Sequence, residues 1–246
     1  MNTDIRFIFF DLGGTFRVIK EDPAYLAAAK TKIAELCGVQ VEDPCAWFDT
    51  VIDKRYDKYR EWALKFMCEA PEEVLWTRWL AYDCDRDLIL KNAGELTYQY
   101  RQTKGTRTVV DGGAETVKEL CARGYTLGII ANTVTETEIP DWMAADGVAQ
   151  CFKTTILSSK VRLRKPDPAI YHLACRCIGS PEAQCVYVGD NPVRDVEGTQ
   201  AAGFAMMIRI DEPDTLNMEK ATGKEFTPDH VITSLSQLLD IFPARN

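Results

Sequence analysis

The chain opens on an apolar run, Ile5-Arg6-Phe7-Ile8-Phe9-Phe10, that stops at Asp11 and a Gly-Gly pair. A near-continuous apolar run, rather than an alternating one, suits a strand buried on both faces of a parallel sheet, and the glycines suit a tight turn at its C-terminal end. From Asp22 the period changes. Apolar residues recur at helical spacing over Pro23 to Cys37, Pro44 to Met67 and Pro71 to about Gln102. Each segment begins at a proline, which the first helical turn tolerates because the missing N–H has no intrahelical partner there. The pattern predicts an all-helical block. Strand and helix then alternate: helix Ala114 to Arg123, strand Tyr125 to Ala131, helix Pro168 to Ile178, strand Cys185 to Val188 ending at Gly189-Asp190, a helix through Gln200, and strand Ala205 to Ile210. Such alternation predicts an α/β fold, a doubly wound parallel sheet, with the helical block inserted after its first strand. The boundaries fall near Phe16 and Arg107, giving a core of residues 1–16 and 108–246 and an insertion of residues 17–107.

Composition narrows the partners. With 246 residues the chain suits one domain carrying a sizeable insertion. Its 29 basic and 37 acidic residues give a net charge of -8, and no Lys/Arg run is long enough to track a nucleic-acid backbone, so nucleic acid is not expected. A local set of donors and a metal still suits an anionic small molecule. No stretch approaches the about 18 apolar residues that span a bilayer, and Met1-Asn2-Thr3-Asp4 lacks the basic segment of a leader, so a cytoplasmic protein with no membrane partner is expected. The nine cysteines are scattered without a Cys-x-x-Cys pair, which favours reduced thiols over disulfides or a zinc site. His172 and His230 are isolated, and His172, in the helix after Lys165, is expected to be structural.

Four strings carry the candidate chemistry: Phe-Phe-Asp11-Leu-Gly-Gly-Thr15, Ile-Ile-Ala131-Asn132-Thr133, Arg-Lys165-Pro-Asp-Pro-Ala-Ile-Tyr, and Val-Gly-Asp190-Asn-Pro-Val-Arg-Asp195 running on to Gly203. In this order, each at a strand end or helix start, they resemble the haloacid dehalogenase superfamily. The resemblance implies a Rossmann-like core with a helical cap, and a hydrolase of the phosphatase type acting on a small phosphorylated molecule. It implies Asp11 as the nucleophile that takes up the phosphoryl group, and Lys165 as a point charge holding the nucleophile and the transferring oxygens. Mg²⁺ is the implied cofactor, held by Asp11, the Gly13 carbonyl and Asp190, with Asp195 one layer further out. Asn132, Thr133 and Arg17 are the substrate-binding candidates. Arg17 and Lys20, just beyond the nucleophile turn, could equally meet an anionic substrate or be solvated hinge residues.

The chain also departs from the family. Its phosphatases usually carry a general acid two residues after the nucleophile, where Gly13 stands, and a Ser or Thr before the Asn, where Ala131 stands. Thr133, two residues on and facing the same way along an extended segment, could equally supply the hydroxyl from farther out or serve packing. A missing general acid slows expulsion of a poor leaving group by about 10² to 10⁴. These departures leave open a catalytically weakened binding or regulatory protein, or a phosphonate- or halide-cleaving member. The phosphonate route needs a cap lysine at the site, with Lys54, Lys58 and Lys65 as candidates, and the halide route uses no metal. The first string also resembles the phosphate turn of hexokinase-like sugar kinases, but the later strings have no place in that fold. The cap aromatics, from Trp47 to Tyr82, stand at helical spacing and are expected to form mainly the cap's own core.

Overall fold

The computed structural model describes residues 5–211 and 225–245; Met1–Asp4 lie outside them. Among the described residues there are eight strands: β1 Phe7–Phe10, β2 Arg17–Lys20, β3 Thr106–Val109, β4 Thr126–Ala131, β5 Phe152–Leu157, β6 Cys185–Gly189, β7 Met206–Ile210 and β8 His230–Ile232. Six form one sheet in the order β5-β4-β1-β6-β7-β8, with every pairing parallel. Ile8, Phe9 and Phe10 are fully buried, because β1 is central and covered on both faces. Ile8 and Phe10 join one apolar cluster with Ile129, Val186 and Val188. Phe9 points the other way, into a second with Ile130, Tyr171 and Tyr187. Opposite Phe9 only glycine fits at residue 128, since a Cβ there would lie 2.5 Å from the Phe9 ring.

The order places β1 between β4 and β6, which the chain reaches by leaving in opposite directions. That is the switch point of an open α/β sheet, where a crevice forms outside the strands' C-terminal ends. Asp11, Asn132 and Asp190 each follow directly on one of these three strands.

Between β2 and β3 lies the helical block. Helix α1 (Pro23–Leu36) starts at Asp22, whose side chain accepts from the backbone N–H groups of Ala24 and Tyr25, supplying the first orphan donors with a partner. Helix α2 (Pro44–Trp47) runs through a π-helical turn into α3 (Asp53–Phe66). The helix expected over Pro71 to Gln102 is instead broken. Helix α4 (Glu72–Val74) and a π-helical turn, Leu75–Leu80, precede α5 (Arg86–Gln102), which Asp85 caps by accepting from Leu88 N–H. The break at residues 81–85 is held open by Asp83, which takes both terminal nitrogens of Arg55 at 2.7 Å. Phe48, Tyr59, Trp76 and Tyr100 are buried in the block's own apolar cluster, as expected of its aromatics, while Phe66 and Tyr82 remain exposed.

The rest of the core carries α6 (Gly113–Ala122), α7 (Glu138–Ala145), α8 (Ser158–Val161), α9 (Pro168–Ile178), a π-helical turn Pro192–Glu197, and α10 (Gly198–Ala202). All nine cysteines are free, with Cys175 buried and Cys177 exposed, facing apart as two residues so spaced on a helix do. Among the described residues no helix is long and apolar enough to cross a membrane.

Candidate active site

Asp11 leaves β1 with its N–H donating to the Val188 carbonyl of β6 at 2.8 Å, so the carboxylate emerges over the sheet end, 5% exposed. Asp190 emerges beside it, its Oδ1 accepting from Thr15 Oγ1 at 3.3 Å. This approach requires Gly14, which has φ of +75° and whose Cβ would lie 2.5 Å from Asp190 Oδ2. Gly189 plays the same part for Asp195, again with 2.5 Å to Oδ2. Carboxylate oxygens of Asp11, Asp190 and Asp195 all lie within 4.8 Å of one another, and all three residues are buried.

Lys165 enters from the loop before α9. Its backbone N–H donates to Asn132 Oδ1 and its carbonyl accepts from Asn132 Nδ2, each at 2.9 Å, so Asn132 fixes the lysine's backbone at two points. The ammonium donates to Asp11 Oδ1 at 2.9 Å, Asp195 Oδ1 at 2.7 Å and Tyr187 Oη at 2.7 Å. Tyr187 in turn donates to the Ile130 carbonyl. Burial pushes the Asp11 carboxyl up, but Lys165 and Arg194 outweigh it and hold the group below its ordinary value. Among the described residues Asp190 has no cation in direct contact: burial, then the Asp11 and Asp195 carboxylates, push it up to about 8.

Three buried carboxylates thus face two cations, Lys165 and Arg194. An all-oxygen, acid-rich set of this kind fits a hard divalent cation such as Mg²⁺. Asp195 is already engaged at both oxygens, with Lys165 on Oδ1 and Asn191 N–H on Oδ2, which leaves Asp11 and Asp190 the better placed donors.

A cavity of ≈ 400 Å³ opens over this cluster. Asp11, Gly13, Asn132, Thr133, Lys165, Asp190 and Arg17 all line it. Asp195 lies beneath, wholly buried. Thr133 is held at both ends, its N–H donating to Ser158 Oγ and its Oγ1 accepting from Thr135 N–H. Arg17 does line the cavity, but its guanidinium pairs with Asp146 and lies 4.0 Å over the Trp142 ring. None of Lys54, Lys58 and Lys65 lines it. His172 is away from it, with Nδ1 2.7 Å from Glu182.

Sequence reading missed Tyr187, Arg194, Arg101, Arg107 and Glu138. Arg194 was visible inside the fourth string, one residue before Asp195. The other four carry no local signal, because only the fold brings them to the site.

A family model described as haloacid dehalogenase-like hydrolase matches residues 5–203. Haloacid dehalogenase-like hydrolase domain-containing protein 3 of Mus musculus is 28% identical over 167 residues, 68% of this chain and 64% of that protein. Pyrophosphatase PpaX of Bacillus velezensis is 30% identical over 132 residues, 52% of this chain and 56% of that protein. The matches therefore span about half to two thirds of these relatives. Among solved structures, a 2-haloacid dehalogenase from Pseudomonas syringae pv. tomato superposes with a TM-score of 0.66 at 22% identity, covering 96% of this chain and 97% of that one.

Proposed function

The chain belongs to the haloacid dehalogenase-like hydrolases, and from that premise we propose that it hydrolyses a small phosphorylated molecule through an aspartyl-phosphate at Asp11. The observation that carries the proposal is the Lys165 ammonium set between Asp11 and Asp195 at 2.9 and 2.7 Å. It keeps a buried carboxylate ionised and aimed into the cavity, as a nucleophile requires. Likeness to a pyrophosphatase supports phosphoryl chemistry.

An Asp11 oxygen attacks phosphorus and the bond to the leaving oxygen breaks. Water then attacks the phosphorus of the aspartyl-phosphate, releasing phosphate and regenerating Asp11. Lys165 and Arg194 offset the negative charge that gathers on the transferring oxygens. Asp11, Asp190 and the Gly13 carbonyl would hold Mg²⁺, with Asp195 supporting through Lys165. When bound, the ion supplies the positive charge that lets a carboxylate approach an anionic phosphate. With Gly13 in the acid's place, the departing oxygen is protonated by solvent, so substrates whose leaving groups are weak bases are favoured.

The test is hydrolysis of an aryl phosphate by the purified protein with and without Mg²⁺, beside Asp11→Asn. Magnesium-dependent turnover that the variant abolishes is the expected result. A second reading, a fold retained for binding or regulation, is favoured by Gly13 and Ala131. Absence of turnover alongside intact Mg²⁺ binding would replace the first reading with it.

A further inference from the structure

The cavity has a second polar wall, remote in sequence from the carboxylate cluster. Arg101 at the end of α5, Arg107 in β3 and Glu138 at the start of α7 line it together with Asp11 and Lys165. Glu138 is shared: its Oε2 accepts from Arg101 Nε at 3.0 Å and its Oε1 from Arg107 Nη1 at 3.2 Å. Arg17, the neighbouring cation, is matched by Asp146. Two guanidinium groups therefore face one carboxylate, and the wall carries one positive charge in excess.

The two arginines are used differently. Arg107 is a scaffold, its Nη1 also donating to the carbonyls of Arg101 and Gly105 at 3.1 and 3.3 Å. Its pKa is lowered to about 10 by burial and then by the Arg101 charge. Arg101 is held at Nε alone, and among the described residues its two terminal nitrogens have no hydrogen-bond partner, although its side chain is only 26% exposed. A guanidinium fixed at its inner nitrogen, with its outer fork free, is prepared for a planar, singly charged oxyanion that it can meet with parallel N–H donors. Val18, Ile19, Ile139 and Trp142 line the same cavity, so the pocket that Arg101 shares offers apolar as well as polar surface.

We propose that Arg101, braced by Glu138 and Arg107, is a subsite for a carboxylate carried by the phosphorylated substrate. The protein then selects phosphorylated acids over neutral phosphorylated alcohols of the same length. A carboxylate is favoured over a second phosphate because one negative charge balances the wall's single excess charge.

This inference rests on the phosphatase reading, and its test separates the two. In Mg²⁺ buffer, 3-phosphoglycerate and glycerol 3-phosphate, which differ in a carboxylate against a hydroxymethyl group, are titrated calorimetrically into the non-hydrolysing Asp11→Asn variant. The acid is expected to bind at least about tenfold more tightly. Adding Arg101→Met should bring the ratio close to one, and Arg101→Lys, which keeps the charge without the fork, should leave an intermediate ratio. Equal affinities in Asp11→Asn, no binding of the acid, or a ratio that Arg101→Met leaves intact overturns the subsite. Should Arg101→Met not fold, the Asp11→Asn ratio and the Lys variant still decide. A maintained preference for the acid, in a wild-type protein that hydrolyses no aryl phosphate, overturns the phosphatase reading alone.

Discussion

At the scale of single residues, two adjacent glycines do opposite things. Gly14 leaves room for Asp190, whereas a Cβ at Gly13 meets no atom within 4 Å. Space for a side chain is thus present where the proposed mechanism lacks an acid. Gly13→Asp is expected to raise hydrolysis of an alkyl phosphate by about 10², with less than about a threefold effect on an aryl phosphate that leaves unaided; equal effects on both would sink the missing-acid account. Asn132 calls for a different expectation, because its amide grips the Lys165 backbone at both ends. Asn132→Ala should lower kcat by about tenfold to a hundredfold through misplacement of the ammonium, with KM changing much less. A rise in KM with kcat intact would instead return Asn132 to direct substrate contact. The acids and Lys165 were legible because each lies in a contiguous string. The grip of Asn132 was not, since it joins loops 33 residues apart.

At the scale of elements, the insertion is tied to the core beside the candidate nucleophile's lysine. Cys68 and Leu163 form an antiparallel bridge, Arg164 N–H donates to the Met67 carbonyl and Glu69 N–H to that of Arg162. Beneath them the Glu69 carboxylate pairs with Arg164 and accepts from Tyr59 Oη at 2.6 Å and Ser158 Oγ at 3.0 Å. Glu69→Ala would leave the Arg164 charge buried without its partner, and is expected to lower unfolding free energy in urea by about 3 to 5 kcal/mol. Tyr59→Phe should cost about 1 to 2 kcal/mol for its lost hydrogen bonds. A loss below 1 kcal/mol for Glu69→Ala would mean that Arg164 finds water. Long elements were readable from their period, as the Pro23 helix and the β1 run were. The β2–β3 ribbon was not, because strands such as Arg-Val-Ile-Lys and Thr-Arg-Thr-Val are four residues long and acquire meaning only when paired. Strand β5, Phe-Lys-Thr-Thr-Ile-Leu, changes from mixed to buried halfway along and so shows neither strand pattern cleanly. The break before α5 was hidden because Asp83 is committed to Arg55, 28 residues earlier.

At the scale of the whole molecule, the contact between insertion and core makes stability depend on pH. Glu72 Oε1 accepts from the N–H of Glu136, which follows the β4 end, at 3.0 Å. Burial, followed by the neighbouring Glu136 and Glu73 carboxylates, pushes the Glu72 carboxyl from 4.5 up to about 7. An acid raised on folding binds its proton more tightly in the folded chain. Below about pH 4.5 both states hold the proton and Glu72 is neutral in the balance. As pH rises to about 7 the unfolded chain ionises first, so stability falls through that window and is level above it. Glu72→Gln mimics the protonated form and keeps the amide-accepting oxygen. At pH 8 it is expected to stabilise by about 1 kcal/mol, after allowance for partial solvent screening, which is roughly 2 to 4 °C in Tm for a chain of this size. The gain should vanish near pH 4.5. Comparing parent and variant at each pH isolates Glu72, since every other titrating group, Asp190 included, is common to both. A Tm gain of the same size at both pH values would show that the proton on Glu72 does not couple the insertion to the core.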